Sequence, residues 1–173
     1  MTDPQTLLET RLFRVVESSY ETPDGRRHVR QVVRHPGAVV ILPVLDDGRI
    51  CLIENYRVSV DQTLLELPAG TREPDEDPAT TALRELAEET GYRAKKIEPV
   101  VEFFMSPGIL DERMHLFFAT GLTSGEQDLQ GGEQIKPRLT TWDETLRLMR
   151  AGEIRDAKTL VGLLYYGTFL RRS

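Results

Sequence analysis

Residues 70–92 read GTREPDEDPATTALRELAEETGY. Pro78 suits the first turn of a helix, and Gly91 stands where a helix commonly ends in a left-handed residue, so the spacing predicts a helix from 78 to about Thr90. Stepped at about 100° per residue, Ala79, Ala82, Leu83 and Leu86 gather on one side and Glu85, Glu88 and Glu89 on nearly the opposite side. The expectation is an apolar stripe packed on a sheet, with the acids pointing away from it. Carboxylates three and four positions apart crowd one another and cost a little helix stability. The plain alternative is a solvated acidic face, but such a face usually mixes signs, and Glu85 and Glu89 are like-charged at i,i+4. Three convergent carboxylates are a platform for a hard divalent cation such as Mg²⁺, which takes a few carboxylates, a carbonyl, waters and substrate phosphates. Without metal, their mutual repulsion should raise some of the glutamate pKa values.

Outward from this helix the chain alternates strands and helices. Residues 9–20 and 27–35 read as two strands joined through Asp24-Gly25, an N-terminal β-hairpin. GAVVILPVL and RICLIENYR read as a second hairpin across Asp46-Asp47-Gly48, and TLLELPAG as a short strand ending at Pro68. Strands are expected at 98–105, 113–120 and 137–141, and helices at 142–150 and 157–171. This order predicts an α/β fold, a mixed sheet covered by helices on both faces.

The charged and glycine positions of the opening stretch also form a longer pattern. Gly70, five residues, Glu76, seven residues, Arg84-Glu85-Leu86, one residue, Glu88-Glu89, one residue and Gly91 together resemble the Nudix box. Its seven charged and glycine residues, at roughly 7% background each, coincide by chance on the order of once in a hundred million starting positions. Tyr92 departs from the family, which has an aliphatic residue there; the difference touches packing rather than chemistry. The resemblance implies a Nudix-type α/β/α sandwich. It also implies metal ligation by Glu85, Glu88 and Glu89 with the carbonyl of Ala69, Mg²⁺ as cofactor, and Mn²⁺ as a substitute. Arg84 would then orient the glutamates by charge-assisted hydrogen bonds. Glu76 would hold the preceding loop or cap the helix.

The flanks resemble the ADP-ribose pyrophosphatase branch. YRVSVDQTLLELPAG carries its Tyr-Arg and Glu-Leu-Pro-Ala-Gly, and Pro107 in SPGILDE lies sixteen residues beyond Gly91. The resemblance covers roughly residues 36–170. It implies hydrolysis of ADP-ribose to AMP and ribose 5-phosphate, with Arg57 on the diphosphate. Glu112 would bond a ribose hydroxyl, or help at the metals. Ser106 and Gly108 would shape the terminal ribose pocket through a tight backbone approach. Tyr56 would stack on a base or fill core. The catalytic set would be Glu133, with Glu88 and Arg84; Glu133, in the glycine-rich GGEQIK, would act as the base for the attacking water, with Glu126 and Glu112 as competitors. The branch further implies a homodimer, with residues 1–35 as the dimerisation strands and 36–173 as the hydrolase domain.

Two other readings stand beside this one. The same chemistry could serve another nucleoside diphosphate sugar, or a dinucleotide or flavin diphosphate. A non-catalytic ADP-ribose sensor would be expected to have lost box glutamates or to carry an added DNA-binding domain; this chain keeps the glutamates and has no spare length. Its 173 residues suit one domain. A formal charge of −6, from 28 acids against 22 bases, argues against a nucleic-acid partner but not against a small phosphate ligand beside a metal. No apolar run approaches the ~20 residues that span a bilayer, and the N-terminus lacks a secretory pattern, so the expectation is a cytoplasmic protein without a membrane partner. Cys51, the single cysteine, sits in the apolar RICLIE and reads as a small core residue. His28, His35 and His115 show no catalytic pairing.

Overall fold

The computed structural model describes residues 5–171; residues 1–4 and 172–173, the outer ends of the two expected domains, lie outside the described residues. Its centre is β4 (Ala38–Pro43), AVVILP, in which every residue is buried. The strand is covered on both faces and pairs in parallel with β9 (Arg113–Thr123), the setting in which strands read as continuous apolar runs. Because side chains alternate, β4 divides the core. Val39 and Ile41 face α1 (Pro78–Thr90) and meet Ala82 and Leu86 there. Ala38, Val40 and Leu42 face the other way, toward Leu148 of α2 (Trp142–Arg150) and Leu163 of α3 (Ala157–Tyr165).

The central sheet is mixed, in the order β7-β4-β9-β8, with β7 (Ala69–Thr71) and β8 (Arg93–Phe104) at its edges. A second, antiparallel sheet runs β10-β5-β6, from β10 (Ile135–Thr140), β5 (Ile50–Arg57) and β6 (Gln62–Glu66). This is the α/β fold expected from the strand–helix order, in the sandwich form that the resemblance implied. The second hairpin is not a continuous ladder, however. The turn at Asp46–Gly48 forms, with Gly48 at φ 82°, but β4 and β5 keep only the Val44–Ile50 bridge and diverge into separate sheets. That divergence opens the space in which the acidic face of α1 lies.

Two further expectations are corrected. The N-terminal hairpin is a three-stranded antiparallel sheet of β1 (Gln5–Glu9), β2 (Arg14–Glu21) and β3 (Arg27–Arg34). The hydroxyl of Thr10 donates to the carbonyl of Phe13 and accepts from its N–H, so residues 10–13 make a turn: the strand expected over 9–20 starts only at Arg14, and an extra strand, β1, precedes it. The last helix keeps α geometry only to Tyr165; residues Tyr166–Leu170 form a π-helical turn, where a Cβ at Gly167 would come within 2.6 Å of the Trp142 ring. Cys51 is buried in β5 as expected, and burial pushes its thiol up to about 12.

Candidate active site

Helix α1 begins where Asp77 accepts from the N–H of Ala79 and ends at Gly91, left-handed at φ 74°. Asp77 thus takes the capping role considered for Glu76. Glu76 instead accepts from Arg84 and from the Thr81 hydroxyl, and the Arg84 bonds hold its pKa below the usual range. The helix is rotated relative to the expectation. Leu83 is 41% exposed, while Glu85 and Glu89 are only 8% and 4% exposed. The acids lie over β7, at the edge of the central sheet, and face the gap between the two sheets.

Gly70 explains how they fit. A Cβ at this position would fall on the Glu85 carboxylate, so only glycine lets the helix settle this close to β7. The Ala69 N–H donates to Oε2 of Glu89 at 2.8 Å. Burial pushes Glu89 up to about 8, with the charge of Glu85 adding to it, and burial also raises Glu85. The expected rise is present, but desolvation outweighs repulsion as its cause. Arg84 offsets part of the charge: one Nη reaches Glu85 at 2.7 Å and Glu88 at 3.3 Å, while Nε and the other Nη hold Glu76.

These groups line one cleft of about 840 Å³. Of the residues singled out in the sequence, Tyr56, Arg57, Ala69, Arg84, Glu85, Glu89 and Glu133 are on its walls, and Glu88 stands just behind, bonded to Arg84 and Gln130. Glu133 is exposed, accepts from the Gln130 N–H at 2.8 Å, and adds its charge to the field that raises Glu85 and Glu89. Tyr56 is exposed rather than core, its hydroxyl on Asp61 at 2.6 Å. Arg57 forms a two-bond fork with Glu66, which raises its pKa further.

The chain does not bring the rest together. Ser106 and Gly108 are exposed and outside the cleft wall, and a Cβ at Gly108 would meet no protein atom. Glu112 faces His35 at 3.5 Å. Glu126 packs beside Gly91, beyond the C-terminal end of α1, which separates it from the position of Glu133. His115 pairs across strands with Glu102 at 3.1 Å, and His28 stacks on Tyr20.

Sequence reasoning missed the far wall, Glu9–Arg14, together with Arg34, Arg72 and Asp111, which reach the cleft only through tertiary folding. It also missed Glu66. A lone acid within the apolar LLELP was the available signal, since a carboxylate there must find a cation.

Glu85, Glu88, Glu89 and the Ala69 backbone form an all-oxygen donor set suited to a hard divalent cation, and two of the acids are desolvated with incomplete charge compensation. Among the described residues no three His, Cys, Asp or Glu side chains are grouped to surround a metal-sized point; Arg84, Gln130 and the Ala69 N–H bond the carboxylate oxygens of Glu85, Glu88 and Glu89. By its chemistry the set suits such a cation, which would have to displace those contacts. No helix among the described residues is long and apolar enough to cross a membrane.

The NUDIX domain family profile matches residues 33–160. An ADP-ribose pyrophosphatase of Bacillus subtilis is 41% identical over 147 residues, 84% of this chain and 80% of the relative. A methanol dehydrogenase activator of Bacillus methanolicus is 36% identical over 163 residues, 93% of this chain and 88% of the relative. Among solved structures, a crystal structure of an ADP compounds hydrolase superposes with a TM-score of 0.84 at 24% identity, covering 98% of this chain and 92% of that one, a likeness of fold. The box residues, the sandwich and these matches agree: the chain belongs to the Nudix family and is a Nudix hydrolase.

Proposed function

We propose that the chain hydrolyses the diphosphate of ADP-ribose to AMP and ribose 5-phosphate, in the cytoplasm, with Mg²⁺ as cofactor and Mn²⁺ as a substitute. The observation that carries this reading is the convergence of buried Glu85 and Glu89, Glu88, Arg57 and Glu133 around one polar cleft. Glu85, Glu88, Glu89 and the Ala69 carbonyl would hold the metal, which when bound neutralises diphosphate charge and lowers the pKa of water. Arg57 binds diphosphate oxygens with its planar fork. Arg84 holds Glu85 and Glu88 in place by charge-assisted bonds. Glu133 accepts the proton of the attacking water; the glycines at 131 and 132 let its loop approach bound substrate. The identity to a relative named for ADP-ribose supports the choice of substrate.

The chain acts as a homodimer in this reading. The sheet β1-β2-β3 exposes apolar side chains, Leu7, Leu8, Tyr20 and Val29, with Leu12 beside them; the register places Tyr20 and Val29 on opposite faces, so a second copy would cover part of this set. Incubating the protein with a panel of diphosphates and Mg²⁺ or Mn²⁺, with products separated by chromatography, tests the assignment. Fastest turnover of ADP-ribose with AMP as product is expected. Preference for a nucleoside diphosphate sugar, a dinucleotide or a flavin diphosphate would move the substrate and keep the chemistry; binding without turnover would make the chain a sensor.

A further inference from the structure

Arg57 is held from behind. Its Nε donates to Oε1 of Glu66 at 2.9 Å and Nη2 to Oε2 at 2.7 Å. A guanidinium carries five N–H donors, so three remain without a protein partner among the described residues, on a side chain that lines the cleft. Glu66 is 0% exposed, and an ionised carboxylate so placed needs compensation. A second cation supplies it. Lys158, in the first turn of α3 and 8% exposed, donates through Nζ to Oε2 of Glu66 and lies 3.0 Å from Asp156, the residue that caps α3. Four charges alternate in a row, Arg57, Glu66, Lys158, Asp156, and sum to zero. Neither Glu66 nor Lys158 touches the cleft.

A buried charge row of this kind is a weak device for stability, since apolar residues of similar volume often replace one at no loss. Its geometry serves orientation instead. We propose that Glu66, itself held by Lys158 from α3, is a positioning residue that presets the Arg57 guanidinium for the diphosphate of the substrate, an inference resting on the reading of Arg57 as the diphosphate contact. Freezing a long, rotamer-rich side chain before the ligand arrives removes that cost from binding. Lys158 has a second effect. By bonding the same Oε2 that accepts from Arg57, it lessens the offset of the guanidinium charge by Glu66, while Asp156 in turn offsets Lys158.

Lys158→Met tests this, because its effect on substrate must travel through Glu66 and Arg57. Affinity of the metal-free protein for ADP-ribose is read by calorimetry, and KM and kcat are read with Mg²⁺. Lys158→Met is expected to weaken binding and raise KM about tenfold with kcat little changed, the size expected for ordering one long side chain on binding. In an Arg57→Ala background it should add nothing, and Lys158→Arg, which keeps the cation, should restore most of the affinity. Equal losses in both backgrounds, or an intact affinity in Lys158→Met, would overturn the proposal while leaving Arg57 as the diphosphate contact. Unchanged binding in Arg57→Ala alone would overturn both that contact and the positioning role. Should Lys158→Met not fold, Glu66→Gln carries the same cycle with the same outcomes.

Discussion

Burial of the Glu89 carboxylate pushes its pKa from 4.5 to about 8, so in the metal-free fold it holds a proton well above the range where an unfolded glutamate has lost its own. Below about 4.5 both states are protonated. Between that value and about 8 only the folded state is, so stability falls as pH rises through this window, on the order of a few kcal/mol in all. Glu89→Gln should therefore raise the melting temperature of the metal-free protein at pH 8.5 and change it little near pH 4.5; equal shifts at both would refute the assignment of the buried charge. The same substitution should cost about a thousandfold or more in kcat with Mg²⁺, because a metal contributes several kcal/mol of charge stabilisation. Glu133→Gln should keep the fold and lower kcat by about 10²–10⁴, the usual worth of a general base. A larger loss from Glu112→Gln or Glu126→Gln would move the base. Gly70→Ala is predicted to destabilise by about 1–3 kcal/mol, since the added Cβ meets the Glu85 carboxylate and α1 must shift to admit it.

At the scale of elements, α1 is tied to the site at both ends. Asp77 and Glu76 secure its start, and at its other end the Gln127 side chain donates to the Glu89 carbonyl and the Asp128 N–H to the Glu88 carbonyl. The loop carrying Glu133 is thereby anchored on the helix carrying the acids. Gly91 makes that anchor possible: its left-handed backbone ends the helix, and a Cβ would stand 2.6 Å from the Gly125 carbonyl oxygen. Gly91→Ala is expected to lower stability by about 1–2 kcal/mol and to reduce kcat as well, since it displaces the loop; chemical denaturation and steady-state kinetics would check the pair.

For the whole molecule, the N-terminal sheet β1-β2-β3 stands apart from the sandwich in sequence yet contributes the far wall of the cleft through Glu9–Arg14. Its exposed leucines lie in and beside that segment, so in the proposed dimer assembly and substrate binding would draw on neighbouring residues. Leu7→Glu with Leu8→Glu is predicted to convert a dimer into a monomer in light scattering and to raise KM. A wild-type protein that is monomeric at micromolar concentration would remove the dimer from the proposal.

What the sequence determined by itself was the local chemistry. The helix 78–90, its glycine cap, the acid spacing and the turns at Gly25 and Gly48 follow from backbone preferences and residue periodicity, which act within a few residues. Tertiary structure decided the rest. The rotation of α1 that exposes Leu83 and buries Glu85 and Glu89 depends on the bare backbone of Gly70 arriving beneath the helix. The divergence of β4 and β5 into two sheets, which opens the cleft, depends on β4 pairing with β9, more than seventy residues away in the chain. The buried charge of Glu66 finds its second cation, Lys158, only because α3 packs against the end of β6. Long-range burial and charge compensation are collective effects, and no window of sequence contains them.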